Sequence, residues 1–545
     1  MYQLPLKIEI TQIEDNKVFL KTNYSWAVCL NAEYNGKAQS YYLTKNLLNF
    51  HKLKKIFPDY QFTSEGWQTK EINFQLRPYQ QKDVDSLSQQ KSIGIFNEMR
   101  TGKTPTALAI FQRWKVPNLV VICPSILQAQ WQEAVENWLD QPAYLISYLS
   151  SAERQIIYQK FCQEKNWIII ISKDIFKIDS KYFQDLRKKK KLVFCSLIDE
   201  AHYLRNYQSQ QSKSIYTLKD SEYKMALTGT PIVNHSIDIF GTLKFLQPKI
   251  YTSYWKFAEE FFIIKETEIP TNRQVFKIKK VLGFKNEKMR QELQQRLNQI
   301  SVARKQKEVL PWLPLIERQE IKLLMEKNQQ LVYSHWTQKW DKNYPLQFLA
   351  KLKTLTLHPP SLINEENNKR DFLTEKNRKL LKNCQGSKIS YLVDFCQISP
   401  QPSLLIFSTR TETFLEPLAQ SLQEKKIKIG LITGKISHQQ RIEFINDFQQ
   451  QKIKILLCNI QSAGMGLNLS QANIAIFADR SYSPADNEQA EARFLPIKES
   501  EIPKTRLIID LVCKGTIDEK ILSLLKRKKD ITKIISSYPE YLLQL

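Results

Sequence analysis

Residues 92–105 read Ser92-Ile-Gly-Ile-Phe-Asn97-Glu98-Met99-Arg100-Thr101-Gly102-Lys103-Thr104-Pro105, a short apolar run that gives way to a glycine, a lysine and a threonine. The run has the composition of a buried strand, and the residues that follow carry helical spacing as far as Trp114. At such a junction the backbone N–H groups and the start of the helix face outward and favour an anion. Lys103 then reaches the β and γ phosphates of a nucleotide, and the Thr104 hydroxyl is placed to hold Mg²⁺. Pro105 falls in the first helical turn, where its missing N–H costs nothing. Asn97 to Thr104 are read as the phosphate loop of an ATP site.

Working outward, the same alternation of short apolar runs with longer amphipathic stretches continues along the chain. Runs lie at 119–123, 168–171, 192–198 and 225–227, and a second series lies at 404–407, 429–432, 453–457, 474–477 and 505–510. Runs of this kind, apolar on successive residues, are strands covered on both faces, the mark of parallel βαβ units. The expected fold is α/β, with two doubly wound parallel sheets. The expected divisions are a small β-rich or mixed accessory domain over 1–70, an ATP-binding lobe over 71–250, a helical insertion and linker over 251–385, and a second lobe over 386–545. Tyr24, Trp26, Tyr34, Tyr41, Tyr42 and Trp67 in the first segment could stack on unpaired bases. They read more simply as an ordinary core.

Hydrolysis needs a carboxylate to anchor Mg²⁺ and another to orient the attacking water, both at a strand end opposite the phosphate loop. Asp199-Glu200-Ala201-His202 follows the run 192–198 and supplies them, Asp199 for the metal and Glu200 for the water. The chain has 545 residues, 80 Lys and Arg against 55 Asp and Glu, and a net charge of +25. Together with an ordinary apolar fraction of 42%, that excludes global disorder and favours a polyanionic partner, with nucleic acid first among them. The first residues show no basic segment followed by an apolar core, and no apolar run is long enough for a membrane span, so a soluble cytoplasmic protein without a membrane partner is expected. The eight cysteines are scattered, with neither a disulfide framework nor zinc spacing.

The order of these features resembles the Swi/Snf family of helicase-like, DNA-translocating ATPases of helicase superfamily two, with its DEAH box at 199–202. The resemblance spans residues 74–530. It implies two RecA-like lobes, ATP with Mg²⁺ as cofactor, and duplex DNA bound through its backbone. Leu76-Arg77-Pro78-Tyr79-Gln80 looks like the family's adenine-recognition segment, with Gln80 reading the base. Cys123-Pro124-Ser125 with Trp131 resembles its first DNA-backbone motif, and Thr228-Gly229-Thr230 resembles the motif coupling hydrolysis to DNA movement. Arg304 to Leu310 and Leu357-His358-Pro359 resemble the family's connector. In the second lobe Ser462, Gly464, Gly466 and Asn468 match a coupling motif, Gly466 on the nucleotide side, and Arg493 matches an arginine that reaches ATP.

Two positions depart from the family's pattern. Arg100 stands where glycine is usual, and Pro496 stands where a second arginine is usual. Arg493 alone, or Arg493 with a nearby cation such as Lys498, would then serve hydrolysis. Two further readings stay open at this level: a switch or scaffold that binds nucleotide and DNA without efficient turnover, and the motor part of a restriction or nuclease system. With about 70 residues ahead of the motor and no chromatin-reader signature beyond it, a minimal motor acting in repair, recombination or defence in a bacterial, phage or mobile-element setting is expected, nucleoid-associated if bacterial. A recruiting protein, or a DNA-bound protein that the motor displaces, is a possible partner.

Overall fold

The computed structural model describes residues 8–14, 17–22, 24–35, 39–44, 47–56, 75–163, 165–190, 193–229, 231, 236–270, 275–314, 316–338, 345–364, 374–398, 402–463, 469–496 and 506–526. The chain divides into two compact units, Met1–Leu310 and Pro311–Leu545. The strands of the first are β1 (Ile8–Glu14), β2 (Lys17–Thr22), β3 (Glu33–Asn35), β4 (Ser40–Thr44), β5 (Ser92–Ile95), β6 (Leu119–Cys123), β7 (Ala143–Leu145), β8 (Ile168–Ser172), β9 (Cys195–Ile198), β10 (Tyr223–Leu227), β11 (Phe262–Pro270), β12 (Val275–Phe284) and β13 (Ser301–Val302). Those of the second are β14 (Ile316–Leu323), β15 (Leu404–Ser408), β16 (Ile429–Ile432), β17 (Ile455–Asn459), β18 (Ile474–Phe477) and β19 (Arg506–Cys513).

The first unit is built on a seven-stranded sheet of order β13-β5-β10-β9-β6-β8-β7, parallel at every pairing. Side chains of a strand alternate between faces, and here both faces are dry. Val120, Ile122, Ile169 and Ile171 enter one core, while Leu119, Val121, Ile168 and Ile170 enter the other. The all-apolar composition of β6 and β8 follows from that double cover, and the sheet is doubly wound as expected.

The second unit repeats the plan with a six-stranded sheet of order β14-β19-β18-β15-β17-β16, again parallel throughout. Leu404, Ile406, Ile455 and Leu457 face one core, and Leu405, Phe407, Leu456 and Cys458 the other.

The N-terminal segment forms the antiparallel sheet β1-β2-β4-β3, with helices Tyr24–Leu30 and Leu47–Ile56. Val18, Leu20, Trp26 and Leu53 share one apolar core with Tyr144, Tyr158, Phe161 and Trp167, so this sheet is fused to the first lobe by a common interior. A buried ion pair of 2.5 Å, Lys52 to Glu136, and a 3.0 Å hydrogen bond from Gln132 Nε2 to the Cys29 carbonyl fasten the same seam. Trp26 is fully buried and donates its indole N–H to Glu153 at 2.7 Å, which places it in the core, whereas Tyr34 is exposed. Trp67 and the side chain of Tyr24 lie outside the described residues.

The stretch 251–385, expected as a helical insertion and linker, is a correction to the sequence reading. The boundary between the two units falls inside it. It contains the antiparallel hairpin β11-β12, and it gives β13 to one parallel sheet and β14 to the other. Composition hid them: β13 has two residues, and β14 is an edge strand whose residues Glu317 to Glu320 are exposed. Among the described residues no helix is long and apolar enough to cross a membrane.

Candidate active site

Three neighbouring strands of the first sheet, β5, β10 and β9, end on the same edge, and each delivers one of the expected segments there. In open α/β sheets the carboxyl ends of the strands are where ligands bind. The loop after β5 runs from Asn97 to Gly102, the cap of helix Lys103–Trp114, which buries Ala107, Leu108, Ile110 and Phe111. Gly102 has φ +76°, a backbone conformation that favours glycine, and a Cβ there would stand 2.3 Å from Gln80 Nε2 and push that amide from its place. Arg100 has φ +64°, the left-handed conformation for which glycine is the usual occupant, so this departure keeps the shape of the loop at a local backbone cost.

The loop is braced from beneath. Tyr79 donates to the Thr101 carbonyl at 2.6 Å, and Thr101 Oγ1 donates to the Glu98 carbonyl at 2.7 Å. Gln80, expected to read the base, is buried, its amide spent on the loop and its own helix. Nε2 donates to the Gly102 carbonyl at 3.1 Å, and Oε1 accepts from the Arg77 N–H at 2.8 Å. Asn97 is fully buried and donates to Asp83 at 3.3 Å. Glu98 N–H donates to the Arg304 carbonyl at 2.9 Å, and Glu98 Oε2 accepts from the Gln306 N–H at 2.7 Å, so the connector segment runs alongside the loop. Lys103 Nζ donates to the carbonyls of Asn97 and Glu98 at 3.0 and 3.4 Å. Thr104 sits half-buried in the first helical turn.

After β9, Asp199 is buried with each carboxylate oxygen on a separate neutral donor. Oδ1 accepts from the Glu200 N–H at 2.9 Å and Oδ2 from the Trp131 indole N–H at 2.8 Å. Burial, with the charge of Glu200 beside it, pushes the Asp199 carboxyl up to about 6, against the pull of Trp131 and Lys103. Glu200 has φ +52°. His202 Nδ1 lies 3.2 Å from Glu200 Oε2 and 3.3 Å from Thr228 Oγ1, joining the acidic segment to the coupling segment after β10. Gly229 follows directly, and a Cβ there would stand 3.4 Å from Lys103 Nζ and 3.3 Å from Met99 Cγ. These residues fit Mg²⁺: a dry carboxylate whose fixed partners are neutral, beside a second carboxylate, has negative charge that a divalent cation offsets. Mg²⁺ sites of this kind take one or two carboxylates together with substrate phosphates.

Of the residues expected to meet DNA, Pro124 is buried and Ser125 is exposed at the end of β6. Trp131 is a correction: it is 2% exposed and its only polar atom is on Asp199, so it is not available to a DNA phosphate. Sequence reading missed Asp83 and Gln306 as braces of the loop, because their partners are remote in the chain and no local pattern marks them. In the second unit Arg493 lies in helix Pro484–Phe494, and its carbonyl accepts from the Leu469 N–H at 3.1 Å. Ser462 N–H donates to Asn459 Oδ1 at 3.4 Å. Pro496 is buried. Thr230, Gly464, Gly466, Asn468 and Lys498 lie outside the described residues.

Residues 46–385 match the family described as the SNF2-related domain, and residues 387–495 match the helicase conserved C-terminal domain. The chain is 24% identical to the SWI/SNF-related matrix-associated actin-dependent regulator of chromatin subfamily A containing DEAD/H box 1 of Bos taurus, over 86% of this chain and 51% of that protein. It is 23% identical to the ISWI chromatin-remodeling complex ATPase ISW1 of Saccharomyces cerevisiae, over 85% and 41%. It is 22% identical to the DNA annealing helicase and endonuclease ZRANB3 of Bos taurus, over 88% and 43%. The chain thus spans about half the length, or less, of these curated relatives. The Sulfolobus solfataricus SWI2/SNF2 ATPase core in complex with dsDNA aligns at 21% identity and a TM-score of 0.38, over 87% of this chain and 96% of that one.

Proposed function

The chain belongs to the SNF2-related family of helicase-like ATPases, and from that premise we propose that it hydrolyses ATP in response to duplex DNA and moves along the duplex. One observation carries this reading. The phosphate loop, the Asp199–Glu200 pair and the Thr228–Gly229 segment end three adjacent strands of one sheet, with His202 between Glu200 and Thr228.

Each residue then has a task that its surroundings allow. The N-terminus of helix Lys103–Trp114 and the loop amides hold the phosphates, and Lys103 exchanges its two carbonyl partners for phosphate oxygens. Thr104 and Asp199 hold Mg²⁺. The metal, when bound, neutralises charge developing on the phosphoryl oxygens. Glu200 accepts from the attacking water and orients it, and His202 keeps that carboxylate in register with Thr228. Arg493 supplies a cation to the transferring phosphoryl group, a role worth about 10³ to 10⁵ in rate where it has been removed elsewhere.

DNA binding is proposed through backbone phosphates, with Ser125 as one contact and the +25 charge setting the affinity. Such contacts carry no sequence preference, which suits a motor that must leave each site it reaches. The relatives are named for chromatin remodelling and for DNA annealing; displacement of a bound protein and reannealing of strands are the outputs proposed for this chain, in DNA repair, recombination or defence.

The test is steady-state ATP hydrolysis by the whole chain without DNA, with single-stranded DNA and with duplex DNA, at two salt concentrations, beside Lys103→Ala, Arg493→Ala and Lys498→Ala. Duplex stimulation that weakens with salt and disappears in Lys103→Ala and Arg493→Ala is the expected result. Nucleotide binding without turnover under any condition would overturn the motor and leave a switch. A silent Lys498→Ala would leave Arg493 acting alone.

A further inference from the structure

We propose that Trp131 is a positioning residue for the metal-binding carboxylate: its indole N–H aims Asp199, and through it the DNA-facing segment after β6 sets how tightly the metal is held. The inference rests on the reading of Asp199 as the Mg²⁺ ligand.

The geometry begins with the two oxygens of Asp199, each fixed by one donor from a different element. Glu200 N–H, 2.9 Å away, belongs to the same turn and follows any movement of Asp199. Trp131 Nε1, 2.8 Å away, comes from a helix 68 positions earlier and does not. A carboxylate held at both oxygens cannot turn about its last bond without breaking one of these bonds, and in a dry site a broken one is not replaced by water. Trp131 is therefore the external reference that fixes which way Asp199 points. Groups of this kind behind a metal ligand typically change metal affinity by about 10- to 100-fold when removed.

The second part comes from the element that carries the tryptophan. Exposed Ser125 opens a 3-10 turn, Ser125–Leu127, that passes without a break into helix Gln128–Leu139. Gln128 Nε2 donates back to the Ser125 carbonyl at 3.0 Å, and Trp131, Val135 and Leu139 anchor the helix in the core. The exposed end and the indole are thus one rigid piece of backbone about two helical turns long. A phosphate that draws on Ser125 displaces the indole against Asp199, and metal affinity responds.

The experiment measures Mn²⁺ binding by electron paramagnetic resonance to the whole chain carrying a non-hydrolysable ATP analogue, with and without duplex DNA. Trp131→Phe removes the N–H and keeps an aromatic ring, and Val135→Ala loosens the same helix while leaving the N–H in place. Trp131→Phe is expected to weaken Mn²⁺ binding about tenfold. It is also expected to abolish the DNA-induced change in Mn²⁺ affinity while leaving analogue binding in EDTA as in the wild type. Mn²⁺ affinity within twofold of the wild type, or an equal loss in Val135→Ala, would overturn the proposal. Failure of the wild type to bind Mn²⁺ in a nucleotide-dependent way, with Asp199→Ala indistinguishable from it, would instead overturn the assignment of Asp199 itself, and this proposal with it.

Discussion

Arg304 and Asp83, 221 positions apart, are joined by two hydrogen bonds from one guanidinium to one carboxylate oxygen, at 2.6 Å from Nη2 and 3.0 Å from Nε. Asp83 is fully buried, and its other oxygen accepts from Asn97, the first residue of the phosphate loop. Asp83 shares helix Pro78–Leu87 with Tyr79 and Gln80, which brace the same loop. The pair ties the connector segment to the floor of the nucleotide site.

Arg304→Leu leaves that buried carboxylate without its cation, and breaking such a pair costs about 3 to 5 kcal/mol when both partners are dry. Arg304 is itself well exposed, at 39%, so the expected loss is nearer ~2 kcal/mol, with weaker ATP binding alongside. Adding Asp83→Leu should recover most of the stability and none of the ATP affinity. Denaturant midpoints and nucleotide titrations of the two variants check this; a double variant no more stable than Arg304→Leu would show that the loss is one of packing.

Arg100→Gly tests the first departure from the family pattern. A non-glycine residue in the left-handed region costs about 1 kcal/mol. Glycine recovers that strain and surrenders part of it to the unfolded chain. The expected net result is a gain of up to ~1 kcal/mol with ATP affinity within twofold of the wild type, while Arg100→Ala, which keeps the strained dihedral, gains nothing. A several-fold loss of ATP affinity that high salt abolishes would show instead that the Arg100 cation meets the phosphates.

How far the sequence could be read depended on what each segment touches. β6, β8 and β15 were legible because a strand covered on both faces must be apolar at successive positions. β14 was not, since an edge strand is free to carry Glu317, Arg318, Gln319 and Glu320. In the site, Gly102, Lys103, Asp199 and Glu200 were legible from local chemistry that has few substitutes. Gln80 and Trp131 were recognised as residues of note, but their partners here, the Gly102 carbonyl and Asp199, were not legible, because which carbonyl or carboxylate a buried donor meets is decided by the tertiary fold. Pro496 stays without a structural account of what replaces the missing arginine.

His358 gives a pH dependence with a definite sign. Burial lowers its imidazole to about 4, and Nδ1 lies 2.7 Å from Ser361 Oγ. The unfolded chain binds a proton near 6.5 and the folded chain only near 4, so between these values the unfolded state holds more protons. Stability is therefore unaffected by this group above pH 6.5 and falls as pH drops from about 6.5 to about 4, by ~3 kcal/mol in total. His358→Gln removes that dependence, and the wild-type-minus-variant difference in melting temperature across pH 4 to 7.5 isolates it from Asp199, which is shifted the opposite way for an acid and acts in the other unit. A difference that does not change with pH would mean that the imidazole is solvated in the folded chain.

Arg506 organises the end of the helix that carries Arg493. It is 1% exposed, and its guanidinium donates to the carbonyls of Ser470 at 2.7 Å, Ala472 at 2.9 Å and Phe494, with the Phe494 ring 5.1 Å away. One planar fork therefore holds the segment after Asn468 and the turn after Arg493 to the first residue of β19. Arg506→Met fills much of the space and leaves three carbonyls to find other donors, each at about 1 kcal/mol or more, so a loss of at least ~3 kcal/mol is expected. For a unit of this size that is a fall in melting temperature of roughly 6 °C or more. Arg506→Lys keeps the charge without the fork, so it should lose less stability and still lose turnover, because Arg493 is no longer held in one place. Full ATP turnover in a stably folded Arg506→Lys would show that the position of Arg493 is set elsewhere.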